Sequence, residues 1–243
     1  MSSLAIIRLI LAALLCGASF TAPAHDRHER APDVGQPTGP STGYAFALPK
    51  PGSYRLPAIR PAAGGSVLDE TGREHDLTDL LQGRITVLAF MYTRCGDVCP
   101  TAALQLSLLQ DLAAKDARLA QRMHLVSMSF DPDLDTPSVL AEYAAAWRSD
   151  ETGAPEWLFL TAPDHSALAP VLAAYGQVVS AKPNPDAAGG PLYHIFRAFL
   201  IDASGQIRNI YSLDFLDPDL VLTDIKTLLL DQEQDQHTAG SAP

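Results

Sequence analysis

Cysteine is scarce in this chain of 243 residues: three are present, Cys16, Cys95 and Cys99. That is too few for a scaffold held together by disulfides. Positive charge is also short, with 17 Lys and Arg against 28 Asp and Glu and a formal net charge of −11. An excess of acid excludes nucleic acid as the main partner, because phosphate binding needs a basic face. After the N-terminus, no apolar run approaches the ~20 residues that a membrane span requires. The chain has no internal repeat and no C-x-x-C, and its one H-x-x-H, His25 to His28, lies in a polar stretch near the N-terminus, so no cluster of the kind a four-ligand zinc site needs stands beside the cysteines in sequence. Charged residues make up 19% and apolar residues 47%, enough to build a core and to exclude a disordered protein.

The N-terminus is predicted to be a targeting segment. Arg8 precedes the apolar stretch Leu9 to Phe20, and Thr21-Ala22-Pro23-Ala24 follows. A basic start, about 12 apolar residues and an A-x-A ending form a signal-peptide pattern, with cleavage after Ala24. An uncleaved anchor over residues 4–20 in the inner membrane is the rival reading. Cys16-Gly17 resembles a lipidation site, but Leu14 and Leu15 stand where a small residue should precede the cysteine. Export places the mature chain in the periplasm or another oxidising compartment, soluble after cleavage, with a charge near −12 (−11 less the one positive charge of Arg8).

Residues 25–60 read as a Pro- and Gly-rich linker, with six prolines from Pro32 to Pro57 and no periodicity. His25 and His28 belong to its solvated polar start. Residues 232–243 read as a polar, disordered tail. Between them, residues 61–231 are predicted to form one domain. Ser66–Leu68 and Glu74–Leu77 flank a Glu70-Thr71-Gly72 turn, as in a hairpin. Ile85 to Met91 is a continuous apolar run, as in a buried strand. Pro100 to Ala114 carries Leu104, Leu108, Leu109 and Leu112 at helical spacing. His124 to Phe130 is strand-like. Thr136-Pro137 opens a helix to Trp147, and Trp157 to Leu160 is a strand. Asp164 to Tyr175 is a helix interrupted or kinked by Pro170. Tyr193 to Ile201 and Gln206 to Tyr211 form a second hairpin, and Asp217-Pro218 opens a last helix to Leu230.

The resulting order is hairpin, β, α, β, α, β, α, β, β, α. It describes an α/β sheet covered on both faces, in the thioredoxin-like order with an additional N-terminal β-hairpin. In such sheets, sites form beyond the carboxyl ends of the parallel strands. The run ITVLAFM ends there, four residues before Cys95.

Cys95 and Cys99 are spaced C-x-x-x-C at the start of a helix, which puts both on one face. They can close a disulfide or chelate one ion, and a helix N-terminus favours a thiolate. Two soft thiolates suit Cu(I) or Zn(II), and a further ligand must come from a distant residue. His75 and His165 lie in polar contexts, His124 opens a strand and His237 is in the tail. His194 sits between a Gly/Pro loop and an apolar strand, and spacing alone reads it as a packed or solvated residue. Asp131, Asp133 and Asp135, with Glu142 eleven residues after Asp131, mimic a calcium loop. Thr136 holds the position that needs Gly, and prolines flank it, so a turn before a capped helix is the better reading. Asp97, between the cysteines, is a candidate to tune their acidity or meet a partner. Tyr92 and Phe196 read as packing residues.

The motifs taken together resemble the SCO/SenC family of copper-binding, thioredoxin-like proteins. They are Asp76-Leu77 with Gly83, Tyr92-Thr93-x-Cys95-x-Asp97-Val98-Cys99-Pro100, Ser129-Phe130-Asp131-Pro132-x-x-Asp135-Thr136-Pro137, and His194 five residues before Phe199-Leu200-Ile201-Asp202. The resemblance covers about residues 64–230. It implies one copper ion, Cu(I) or Cu(II), held by Cys95, Cys99 and His194. It also implies a metallochaperone, rather than an enzyme in the strict sense, that assists assembly of the dinuclear copper site of cytochrome c oxidase. The expected partners are oxidase subunit II or another copper-receiving protein, other copper chaperones, and thioredoxin-like reductants. The alternatives are a thiol–disulfide oxidoreductase that uses Cys95 and Cys99 as a redox-active dithiol on the target cysteines, and a redox or copper sensor. Two positions depart from the family pattern: Gly96 stands where Pro is common, and Tyr193 where an acidic residue often precedes the histidine.

Overall fold

The computed structural model describes residues 47–186 and 189–240, with side chains to residue 234. The expectations for residues 1–24 and for the linker as far as residue 46 lie outside the described residues. In chain order the elements are β1 (Arg60–Pro61), β2 (Ser66–Asp69), β3 (Glu74–Asp76), α1 (Leu77–Leu80), β4 (Ile85–Met91), α2 (Val98–Ala114), α3 (Ala117–Arg122) and β5 (Met123–Ser129). Then come α4 (Pro137–Trp147), β6 (Trp157–Thr161), α5 (His165–Ala174), β7 (Ser180–Ala181), β8 (Leu192–Tyr193), β9 (Ala198–Ile201), β10 (Gln206–Tyr211) and α6 (Pro218–Gly240).

Eight strands form one sheet in the order β1-β10-β9-β4-β5-β6-β2-β3. β4, β5 and β6 are parallel, and β9 and β10 complete the other side antiparallel. β4 is buried at every residue, which is why it reads as an unbroken apolar run and not as alternation; β5 is equally buried but carries His124, Ser127 and Ser129. The hairpin β2–β3 joins the far edge, where β2 pairs antiparallel with β6. This is the α/β, thioredoxin-like arrangement expected from the sequence. Its two central parallel strands carry the chain towards the loops after Met91 and Ser129.

Helix positions follow local chemistry. Pro137 occupies the first turn of α4 after Thr136. Asp76, Asp116 and Asp164 cap α1, α3 and α5 through their carboxylates. α2 buries Ala102, Leu106, Leu109 and Ala113, while Leu104 and Leu108 of the expected apolar set face outwards. α5 continues across Pro170 without interruption. The short α3 has no counterpart in the sequence reading.

Three expectations are corrected. The strand expected over Tyr193 to Ile201 is split: β8 pairs with β7 in a separate two-stranded ribbon, and residues 194–197 lie between it and β9. α6 runs to Gly240, past the expected end at Leu230, so residues 232–240 continue a helix instead of beginning a tail. Finally, the linker's last part is docked onto the domain. Gly52 N–H donates to Thr227 (3.0 Å), Tyr54 donates to Asp224, Arg208 donates to the Leu56 carbonyl (2.5 Å) and Ile59 N–H to Ile207 (2.8 Å). Hydrogen bonds to distant elements explain order in a stretch that has no periodicity of its own.

Candidate metal centre

β4 delivers the chain to the centre of the sheet at Met91, and a turn follows in which Cys95 N–H donates to the Tyr92 carbonyl (3.2 Å). α2 then begins, with Cys99 in its first turn. Asp97 stands at the helix cap but makes no side-chain cap bond. Instead, Cys99 N–H points at Cys95 Sγ, 3.4 Å away. The sulfur thus occupies the acceptor position that a capping oxygen usually fills. Both cysteines are free and buried.

The loop that carries Cys95 is braced from the next strand. Asp135 is fully buried and accepts hydrogen bonds from Thr93 N–H (3.1 Å), Thr93 Oγ1 (2.5 Å) and Ser129 Oγ (2.5 Å). Arg94 pairs with Asp131 at 2.8 Å. The expected turn over residues 131–136 therefore also fixes the residues just before Cys95. Asp133 points elsewhere and meets His165 at 3.0 Å. The three aspartates thus have separate partners, in accord with a turn and against a calcium loop.

The imidazole arrives from the segment between β8 and β9. Its Nε2 lies 3.8 Å from Cys99 Sγ. The ligand atoms of Cys95, Cys99 and His194 all fall within 4.8 Å of one another, and they are the one such group of three among the described residues. Phe130 lies against the imidazole with ring centroids 4.9 Å apart, and Tyr92 meets it edge-on at 6.0 Å. Nδ1 of His194 is buried without a hydrogen-bond partner among the described residues. Tyr193, at the position where the family often has an acid, is exposed, with Lys182 Nζ 5.4 Å from its ring centroid.

The two thiols are driven apart in acidity. A hydrogen bond from Cys99 holds the Cys95 thiol down to about 4; burial opposes this, and His194 together with the backbone N–H groups of Asp97 and Cys99 assists. Cys99 is pushed upwards because it donates to the Cys95 sulfur, is buried and faces the Cys95 charge. The pair therefore shares one proton and carries one negative charge at neutral pH. Burial also raises Asp135. Two sulfurs and an imidazole form a soft, compact donor set, which fits a thiophilic ion such as copper, and the buried negative charge suits a cation.

Among the described residues, the other histidines take no part. His75 bonds Asp69 at 2.7 Å, and His124 is buried in β5 with Nε2 2.7 Å from Thr86 Oγ1. The side chain of His237, and all of His25 and His28, lie outside the described residues. The sequence alone marks Tyr92 as a packing residue and does not single out Phe130, Thr93 or Ser129 for the site. All four belong to the quoted motifs, but only the tertiary structure places them around the ligands.

The profile of the SCO1/SenC family matches residues 66–230. A putative copper-binding protein of Stutzerimonas stutzeri is 33% identical over 76 residues, 31% of this chain and 36% of the relative. The chain thus matches little more than a third of that relative's length. Among solved structures, copper-bound ScoI of Bradyrhizobium japonicum is similar at a TM-score of 0.58 and 24% identity, covering 69% of this chain and 99% of that one. BsSco, described as a member of the Sco family of cytochrome c oxidase assembly proteins with a disulfide switch, is similar at a TM-score of 0.54 and 20% identity, over 72% and 98%. These structures share the fold.

Proposed function

The chain belongs to the SCO1/SenC family, and from that membership we propose that it is an exported copper metallochaperone whose cargo is held by Cys95, Cys99 and His194. The observation that carries the proposal is the meeting of three ligand atoms within 4.8 Å of one another. The Cys95 thiolate supplies charge, and Cys99 loses its proton when the ion binds. His194 adds a harder nitrogen donor, which makes Cu(II) tolerable beside two sulfurs that favour Cu(I). Three protein donors leave room for a ligand from the recipient, so cargo can pass by ligand exchange. The recipient is the dinuclear copper site of cytochrome c oxidase subunit II, or another copper-receiving protein. The site faces the periplasm or an equivalent oxidising compartment.

Deleting the gene should lower oxidase activity, and added copper should restore it if delivery is the role. Normal oxidase activity in the deletion strain contradicts the proposal.

The low-lying thiol of Cys95 supports a second reading, reduction of the recipient's cysteines. The Cys95 thiolate attacks one sulfur of a target disulfide, and the other sulfur leaves as a thiolate. Cys99 then attacks the Cys95 sulfur and gives up its proton. The target is released as a dithiol, and the Cys95–Cys99 pair is oxidised by two electrons. Exchange of this kind does not need His194. A His194→Ala variant that still supports the oxidase therefore favours this reading, and one that fails favours delivery.

A further inference from the structure

The cysteines and His194 come from segments 95 residues apart, and something must hold the histidine segment over the sulfurs. β9 ends that task at Ala198, four residues after the imidazole. On the other side, β8 belongs to a small ribbon that is not part of the main sheet. Residues 194–197 lie in no strand, and both neighbours of His194 in sequence are exposed.

One side chain of the cysteine loop reaches into this segment. Tyr92 is fully buried, and its hydroxyl lies 3.1 Å from the Gly189 carbonyl, to which it donates. Leu192 N–H in turn donates to the Tyr92 hydroxyl oxygen at 3.4 Å. The approach is close enough to dictate the sequence opposite. Gly190 has φ +89°, and a Cβ there would stand 2.5 Å from the Tyr92 hydroxyl and 2.5 Å from the Arg94 carbonyl. Only glycine fits. The ring of the same tyrosine packs at a tilt against Phe130 with centroids 5.1 Å apart and meets the imidazole edge-on. Tyr92 therefore touches both of His194's settings: the backbone that leads to it and the ring that lines it.

We infer that Tyr92 is a positioning residue for His194, its hydroxyl latching residues 189–192 to the cysteine loop so that the imidazole is already in place when the ion arrives. The inference rests on the proposed ligand set. Its energetic logic is preorganisation: a ligand held in position costs less ordering when the metal binds. The latch acts on the nitrogen donor alone. It therefore bears on Cu(II), which needs that donor, more than on Cu(I), which the two sulfurs satisfy.

The test compares wild type, Tyr92→Phe, Gly190→Ala and His194→Ala as reduced, full-length proteins. A buried hydrogen bond is worth roughly a two- to tenfold change in equilibrium. Tyr92→Phe should weaken Cu(II) by about that factor in competition titrations and leave Cu(I) affinity nearly unchanged. In the His194→Ala background, Tyr92→Phe should have no further effect, because nothing remains to position. Gly190→Ala, which pushes the loop from the other side, should act in the same direction. The metal-free proteins give an independent readout. The His194 ring resonances of wild type should be shifted by the neighbouring aromatic rings, and in Tyr92→Phe and Gly190→Ala they should move towards the values of a free histidine. Unchanged ring resonances together with unchanged Cu(II) affinity overturn the latch. An additive loss in the His194→Ala background also overturns it, since that is the mark of a general structural role. If wild type binds no copper, the ligand assignment fails, whereas the metal-free resonances still decide whether Tyr92 holds the loop.

Discussion

Cys99 Sγ and His194 Nε2 lie 3.8 Å apart although 95 residues separate them in the chain. The sheet makes this meeting. β9 pairs antiparallel with β4 so that Ala198 stands opposite Ala89, close to the end of the strand that leads to the cysteines. Four expected outcomes follow from how that junction and its supports are built.

The first concerns the acidity of Cys95. Its largest downward influence is the hydrogen bond from Cys99. In reduced, metal-free protein, ultraviolet thiolate absorption should therefore persist down to about pH 4. In Cys99→Ala the midpoint should rise by more than about one pH unit, because loss of a hydrogen bond to the charged form disfavours that form. An unmoved midpoint would show that Cys99 does not hold the charge.

Asp135 should matter to stability more than its distance from solvent chemistry suggests. It accepts three hydrogen bonds in a fully buried position. Asp135→Ala leaves Thr93 N–H, Thr93 Oγ1 and Ser129 Oγ without their acceptor, at a cost of about 2–4 kcal/mol in denaturant unfolding. Asp135→Asn keeps the shape and should lose less. Equal losses in the two variants would mean that packing, not hydrogen bonding, is the role of this side chain.

His124 sets an acid limit. Burial holds its imidazole neutral and lowers it to about 4, against an ordinary value near 6.5, with Arg84 adding to the effect. The unfolded chain therefore binds this proton more readily than the folded one. The contribution is fully present above about pH 6.5 and is lost as pH falls towards 4, amounting to about 3 kcal/mol. Stability measured between those limits should rise with pH. His124→Asn, which can still meet Thr86, should flatten the slope. A slope equal to that of wild type would assign the acid sensitivity to other groups.

The docked segment before β1 should behave as part of the domain. Tyr54 and Tyr211 both donate to Asp224, and Asn209 adds a third bond at 2.8 Å. Tyr211→Phe removes one buried bond of 2.6 Å and should lower stability by about 1 kcal/mol. Asp224→Ala strands all three donors and should cost more than Tyr211→Phe. If removing residues 1–58 leaves stability unchanged, the segment is not part of the folding unit.

Much of this was legible in the sequence. The run ITVLAFM matches β4 residue for residue, because a strand buried on both faces is apolar throughout. Thr136-Pro137 marks the start of α4, because cap and first-turn chemistry is local. The Cys95–Cys99 spacing brings the two sulfurs together, but not on one helical turn as the spacing predicts: α2 begins at Val98, and Cys95 lies in the loop before it. His194 was different. Its spacing suggests only a packed or solvated residue, and it is the family resemblance that singles it out. What brings it to the sulfurs is the pairing of β9 with β4 and the Tyr92 hydroxyl, neither of which leaves a local pattern. The same reason hid the docked segment: Tyr54 and Asp224 are 170 residues apart, and no window of sequence contains both.

The most direct measurement is a competition titration of the reduced full chain with copper against a chelator of known affinity. The expected result is one copper per chain, with thiolate-to-Cu(II) absorption in the oxidised-metal form. Tight binding should be lost in Cys95→Ala and in Cys99→Ala. His194→Ala should weaken Cu(II) by roughly a hundredfold or more, since disturbing even a neighbour of a ligand costs about 10–100-fold. Failure of wild type to compete with a moderate chelator, or unchanged affinity in any of the three variants, would contradict a metal centre built from Cys95, Cys99 and His194.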